Sequence, residues 1–308
     1  MPEKDSGQRS ATYAQLALGM AAFGSATPVS KIVTQAMPVF VASALRVAIG
    51  ALVLLPFIWH KRREVADLNR ADWARVAIIA LFGMFGFSAL MLYGMRMVSG
   101  VSGAIVMSTA PAVTAAASMM FLKDSPTWRK LTAIALAVIG VGILNIGGSS
   151  GDGSDSGKML LGIALVFAAE CCESVYTLVG KTASQRVDPI LVAFLASALA
   201  LPAFIPFAVW QWSQLDMAGV DAGVWTALIW YGAGTLGLGS WLWYQGVAKA
   251  EGSVAAGFMG VMPASALILS YVLLGEAFRW IHLAGFPTVF AGVLLISWEH
   301  ARMRASHS

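Results

Sequence analysis

Charge is what this sequence has least of. Only 12% of its 308 residues are Asp, Glu, Lys or Arg, whereas 58% are hydrophobic, and the mean hydropathy is +0.74. So few polar side chains cannot coat a soluble globule, so the chain must be solvated by lipid. Cysteine is nearly missing: Cys171 and Cys172 are neighbours that point in different directions from one predicted helix. They imply neither a disulfide frame nor a metal site. No His-Glu-x-x-His string, Gly-rich phosphate loop or metal-spaced Cys/His cluster occurs. No cofactor, no metal and no enzymatic activity are therefore expected.

What the chain does have is apolar length. A helix needs about 20 apolar residues to cross a hydrocarbon core of roughly 30 Å. Runs of that kind lie at 12–34, 38–59, 73–94, 99–122, 128–147, 159–180, 188–210, 224–247, 253–274 and 278–298. These ten predicted spans use nearly the whole chain and leave no soluble domain. The first run exceeds a signal-peptide core and leads into another span, which predicts a retained helix. A Gly/Ser-rich stretch at 148–157 reads as a flexible linker between spans five and six. The expected organisation is a tail over 1–11, five helices over 12–147, the linker, five helices over 158–299, and a tail over 300–308.

Orientation follows from the basic residues. Fifteen Lys and Arg fall on the side carrying Lys4, Lys61, Arg75 and Lys181, against four on the other side and Arg46 within a span. This bias predicts both termini in the cytoplasm, and the expected location is a bacterial inner membrane. It also accounts for the net charge of +4 without any nucleic-acid partner.

Two stretches repeat one another. Pro111 and Pro263, Asp124 and Glu276, and Gly140 and Gly292 are each 152 positions apart, and Tyr93 and Tyr244 are 151 apart. Each half has an odd number of spans, so the second copy enters the membrane from the opposite side. The predicted fold is an all-α integral membrane protein of ten transmembrane helices in two inverted five-helix repeats. Inverted repeats exchange roles in transporters that alternate access to a midplane site.

The order of these features is similar to the drug/metabolite transporter superfamily, EamA type. It comprises a Tyr-x-Gly element before a Pro-bearing helix (Tyr93 to Pro111; Tyr244 to Pro263), an acidic exit (Asp124; Leu274-Gly275-Glu276) and Gly-rich closing helices (Ile139 to Gly142; Ala291 to Val293). The likeness covers residues 12–299, and within the superfamily it is nearest to exporters of aromatic and other amino acids of the YddG type. Lys123-Asp124 departs from the family's usual Gly-Glu. The resemblance implies alternating access around a cavity lined by spans one, three, four, six, eight and nine.

Particular positions stand out within that frame. Glu170 and Glu173 are the only pair of acids deep in an apolar run and share a helix face with Tyr176 and Thr177. The corresponding places in the first span are Met20 and Phe23. Intramembrane carboxylates line water-filled paths, pair with bases or carry protons, so these acids are expected to meet a substrate ammonium or exchange a proton. On the eighth span, Trp230, Gly234, Gly237, Trp241 and Tyr244 form one stripe in which rings flank glycines. That stripe reads either as a stacking surface for cargo or as an interfacial belt. Tyr93 is its counterpart in the third span, with Gly83 and Gly86. Ala104, Ser108, Pro111, Ala115 and Ser118 line one face of the fourth span, and Ala256, Gly260, Pro263, Leu267 and Ser270 one face of the ninth. These faces read as a cavity wall or as close helix packing. The expected substrate-binding residues are thus Glu170, Glu173, Tyr176, Trp230, Trp241, Tyr244, Tyr93 and Ser108, and the expected hinges are Pro111, Pro263, Gly234 and Gly237. Arg46 either meets a substrate carboxylate or snorkels or pairs with an acid.

Two alternatives keep less of this pattern. Lipophilic cations would suit the acids and rings nearly as well as amino acids do, whereas phosphorylated cargo would want more buried Lys or Arg than Arg46 alone. Gly100-Val101-Ser102-Gly103 matches a string used by intramembrane serine proteases, with His282 as the sole histidine near a span. The expected partners are a small-molecule substrate and the bilayer, with a monomer as the expected state.

Overall fold

The computed structural model describes residues 2–122, 125–148, 153–250, 254 and 257–305. Among the described residues every regular element is helical. The elements are α1 (Pro2–Ala36), α2 (Val39–Ile58), α3 (Arg62–Ala66), α4 (Arg70–Ile78), α5 (Phe87–Met97), α6 (Gly100–Met107), α7 (Ala110–Phe121), α8 (Trp128–Gly148) and α9 (Gly153–Ala183). They continue with α10 (Pro189–Trp212), α11 (Ala222–Ile229), α12 (Ser240–Val247), α13 (Val261–Leu274) and α14 (Trp280–Ala305). Six helical runs are long and apolar enough to cross a membrane, while Val261–Leu274 and Ala284–Leu295 are shorter apolar helices. Large apolar side chains such as Leu52 (67% exposed) and Val272 (70% exposed) point outward, as suits a protein whose outer solvent is lipid.

The helix ends follow from local chemistry. Asp188 caps α10 by accepting from the amides of Ile190 and Leu191, ahead of a proline that needs no partner for its nitrogen. Asp221 caps α11 through Val224, and Asn69 and Asp72 form a capping box on α4. Gly275 ends α13 in the left-handed region, φ 61°. Ser99 caps α6, and the Glu276 carboxylate accepts from the amides of Gly100 and, at 2.9 Å, Val101. An acid at a helix N-terminus is favoured by the helix dipole. Asp124, its sequence counterpart, lies outside the described residues, as do Lys123, Gly252, Ser253 and Ala256.

The two prolines expected in mid-helix stand elsewhere. A turn at Ser108-Thr109 separates α6 from α7, which places Pro111 in the first turn of α7; a turn at Met259-Gly260 likewise places Pro263 in the first turn of α13. A first turn has no use for the missing amide, so proline costs least there. The third and eighth apolar runs, expected as uninterrupted α-helices, also differ. Ile79–Gly86 joins α4 to α5 as π-helix, and Trp230–Gly239 joins α11 to α12 in the same way. The two π stretches begin 151 positions apart, as do the two turns. Of the expected linker, 149–152 lie outside the described residues and helix has resumed at Gly153; the expected tails are helical from Pro2 and as far as Ala305.

Packing is closest where side chains are smallest. A Cβ on Gly94 would meet Val166 and the carbonyl of Gly162, and a Cβ on Gly162 would meet Met97 and Val98, so α5 and α9 cross nearly backbone to backbone. Gly24 brings α1 equally close to Met262, Ser265 and Ala266 of α13. One apolar core joins α1, α2, α5, α6, α9 and Tyr231, and a second joins α2, Ile79 to Met84, α10 and Leu236.

Candidate functional site

Most hydroxyls of the helical core are used up locally. Ser25, Ser30, Ser108, Ser197 and Ser270 each donate to a carbonyl three or four residues back in their own helix, at 2.6–2.8 Å. Against that background, polar groups left without partners are conspicuous, because an unsatisfied buried group costs roughly 1–3 kcal/mol. They concentrate on α9, α2 and the π stretch after α11.

Glu170 is fully buried (0% exposed), and neither carboxylate oxygen has a hydrogen-bond partner. Its backbone carbonyl accepts from Ser174, whose hydroxyl also meets Thr114 of α7 at 3.0 Å. Glu173 lies one turn on, within range of the Glu170 charge, and forms no ion pair or hydrogen bond among the described residues. Tyr176 follows on the same face. Its ring covers Gly83 of the first π stretch, and its hydroxyl lies near that of Tyr244 on α12. Glu173, Tyr176 and Tyr244 are each half-buried.

Arg46 enters the same neighbourhood from α2. It is 7% exposed; its Nη1 donates to Ser88 Oγ at 2.8 Å, and its guanidinium lies 4.2 Å from the Tyr231 ring centroid and 5.9 Å from that of Phe87. Such stacking offsets part of the cost of taking the cation out of water. Among the described residues its Nε has no acceptor, and the hydroxyls of Ser43 and Tyr231 have no partner. The charge of Arg46 acts on Glu173 and on Tyr231, although no carboxylate forms an ion pair with it among the described residues.

The remaining expected binding residues are engaged elsewhere. Tyr93 accepts from Gln211 Nε2 at 3.0 Å and meets the Phe40 ring edge-on. Trp230 is 42% exposed, donates from Nε1 to Ser25 at 2.8 Å, and lays its ring over Gly234. Gly237 lies against Val53 of α2, and Trp241 packs on Phe57 with ring centroids 5.8 Å apart. Ser108 closes the last turn of α6 onto Ile105. The structure thus gathers Glu170, Glu173, Tyr176 and Tyr244 and disperses Tyr93, Trp230, Trp241 and Ser108. Ser43, Ser88 and Tyr231 carried no sequence signal of their own. The trace that leads to them is Arg46, since a charge inside an apolar run demands partners.

The protease arrangement is not assembled. The Ser102 hydroxyl accepts from Ser99 at 2.9 Å, while His282 Nδ1 meets the Tyr271 hydroxyl at 3.0 Å. Among the described residues no group of three or more His, Cys, Asp or Glu is placed to hold a metal ion.

Comparison with known proteins agrees with this architecture. The EamA-like transporter family matches the chain twice, over residues 11–146 and 160–298. An uncharacterized transporter of Bacillus subtilis, YetK, is 32% identical over 92% of this chain and 86% of its own length. A probable terminal-alkyne amino-acid exporter of Streptantibioticus cattleyicolor is 25% identical over 73% of each chain. An S-adenosylmethionine/S-adenosylhomocysteine transporter of Chlamydia muridarum is 25% identical over 79% of this chain and 77% of its own. A solved crystal structure shares the fold, with a TM-score of 0.62 and 16% identity over 96% of this chain and 98% of that one. The chain is a multi-pass membrane protein, and it belongs to the EamA-like transporter family.

Proposed function

We propose that this chain is a secondary transporter that exports amino acids, aromatic and hydrophobic ones favoured, and related small metabolites by alternating access through a central cavity. In this reading ten spans form two inverted five-helix repeats in a bacterial inner membrane, with both termini in the cytoplasm. The turns and π stretches that recur 151 positions apart support the repeat. The turns just ahead of Pro111 and Pro263 are then the natural bending points, with Gly234 and Gly237 as further hinges. Two helices of one span that meet at a turn can change their mutual angle without breaking interior hydrogen bonds.

The observation that carries the reading is the carboxylate pair on α9. Glu170 and Glu173 are held in the interior without partners beside Tyr176 and Tyr244. A structural acid would be bonded; these are left available for a cation, whether the ammonium group of a substrate or a proton. Rings beside them offer stacking surface. Trp230, Trp241, Tyr93 and Ser108 join the site only if the other conformation frees them from their present contacts.

A second reading shares the site and changes the cargo. Unpaired acids beside aromatic rings also suit a lipophilic cation, and the sulfonium of S-adenosylmethionine, transported by one relative, is such a group. Counterflow in proteoliposomes separates the two. Loaded amino acids should drive uptake of labelled phenylalanine, and a pH gradient should reveal any proton exchange. Uptake driven only by lipophilic cations or S-adenosylmethionine would replace the amino-acid reading.

A further inference from the structure

We propose that Arg46, with Ser43, Ser88 and Tyr231, forms the carboxylate half of a zwitterion subsite whose ammonium half is Glu173. The proposal rests on the amino-acid reading above and adds to it the part of the substrate that the α9 acids do not recognise.

Three buried polar groups without partners among the described residues sit on neighbouring side chains here: the Arg46 Nε and the hydroxyls of Ser43 and Tyr231. Ser43 and Tyr231 are fully buried, and Arg46 is nearly so. Ser43 stands one helical turn before Arg46, on the same face of α2, and Tyr231 lies under the guanidinium. Ser43 does not bond back to its own helix, unlike Ser25, Ser30, Ser108, Ser197 and Ser270. Only one donor contact of Arg46 to protein is made, at Ser88. A guanidinium offers five donors in a fork that matches a carboxylate, and here its Nε edge has no acceptor among the described residues, while the residues beside it carry two further hydroxyls without partners.

The electrostatics select the partner. The Arg46 charge acts on Glu173, yet the two form no ion pair among the described residues. Opposite charges inside a protein would gain most by closing into a pair, so two that stay apart suit a ligand that carries both signs. An α-amino acid fits, with its carboxylate accepting from Arg46, Ser43 and Tyr231 and its ammonium donating to Glu173 at about 2.8 Å. A simple anion would leave Glu173 unmet, and a simple cation would leave Arg46 unmet. The side chain of the bound amino acid would then extend toward Tyr176 and Tyr244.

The test uses the full chain purified in detergent and reads ligand-induced thermal stabilisation, which reports binding to the folded state. The probes are phenylalanine, phenethylamine, which lacks the carboxylate, and 3-phenylpropanoate, which lacks the ammonium. Wild type should respond to phenylalanine at a concentration at least about tenfold lower than to either partial molecule, because a site built to bond a group rejects analogues without it. R46Q should erase the preference over phenethylamine and leave the phenethylamine response in place; E173Q should erase the preference over 3-phenylpropanoate. R46K and S43A keep the fold under control should R46Q fail to elute as a monodisperse species, and each should narrow the phenylalanine to phenethylamine ratio several-fold. An unchanged ratio in the Arg46 and Ser43 variants overturns the subsite while leaving amino-acid transport standing. A wild type that answers to phenethylamine and not to phenylalanine overturns the amino-acid reading itself, and the subsite with it.

Discussion

The helices α1 and α9 open the two segments that match the EamA-like family, and they treat their polar side chains in opposite ways. On α1 the serines and threonines from Ser25 to Thr34 are bonded, and so is Lys31: Ser25, Ser30 and Thr34 return to their own backbone, Thr27 reaches Met107, and Lys31 donates to the carbonyls of Met95 and Val98 at the end of α5. On α9, at the places of Met20 and Phe23, stand Glu170 without a partner and Glu173 unpaired. Polar groups on α1 hold the bundle together. Under the proposed function, the acids on α9 cost stability and are retained for what they meet.

The comparison breaks most sharply if the residues are exchanged. Met20 is a core residue, 6% exposed, so Met20→Glu places a carboxylate where nothing can receive it and should cost about 3 kcal/mol of stability. Glu170→Met, in contrast, should leave stability unchanged or raise it by about 1 kcal/mol, since it removes an unsatisfied buried group, and should abolish transport. Thermal unfolding in detergent and counterflow in proteoliposomes read the two effects. If both substitutions destabilise equally, Glu170 has a structural role and the contrast is void.

A smaller contrast concerns space. A Cβ on Gly24 would run into the backbone of α13, whereas nothing lies within 4 Å of a Cβ on Gly180 of α9. Gly24→Ala should therefore cost about 2 kcal/mol, and Gly180→Ala should be neutral or slightly stabilising. The smallest effect should come from the lysines that hold matching places near the ends of the two helices. Lys31→Met loses two charge-assisted bonds to α5 and should cost about 1.5 kcal/mol; Lys181 is exposed, and Lys181→Met should move the melting temperature little.

Much of the architecture could be read from composition and spacing, because lipid solvation imposes a length and an apolar content on every span. The duplication was legible for a related reason: Pro111 and Pro263, or Tyr93 and Tyr244, keep their spacing. The π stretches at Ile79–Gly86 and Trp230–Gly239 were not legible, since a helix that gains one residue per turn there leaves hydropathy unchanged. The carboxylates could be found because charge in an apolar run is conspicuous. Ring placement could not: the stripe from Trp230 to Tyr244 is sound helical geometry, but Trp230 is held by Ser25 of another helix and Tyr231, one position off the stripe, covers Arg46. Which neighbour a ring meets is decided by packing between distant segments. That information is absent from periodicity within one helix.

The central claim is that the α9 carboxylates meet the cargo. Counterflow of labelled phenylalanine by Glu170→Gln and Glu173→Gln variants in proteoliposomes tests it most directly, with melting temperatures matched to wild type. Each variant should exchange at no more than about a tenth of the wild-type rate. Exchange at the wild-type rate by both folded variants would contradict it.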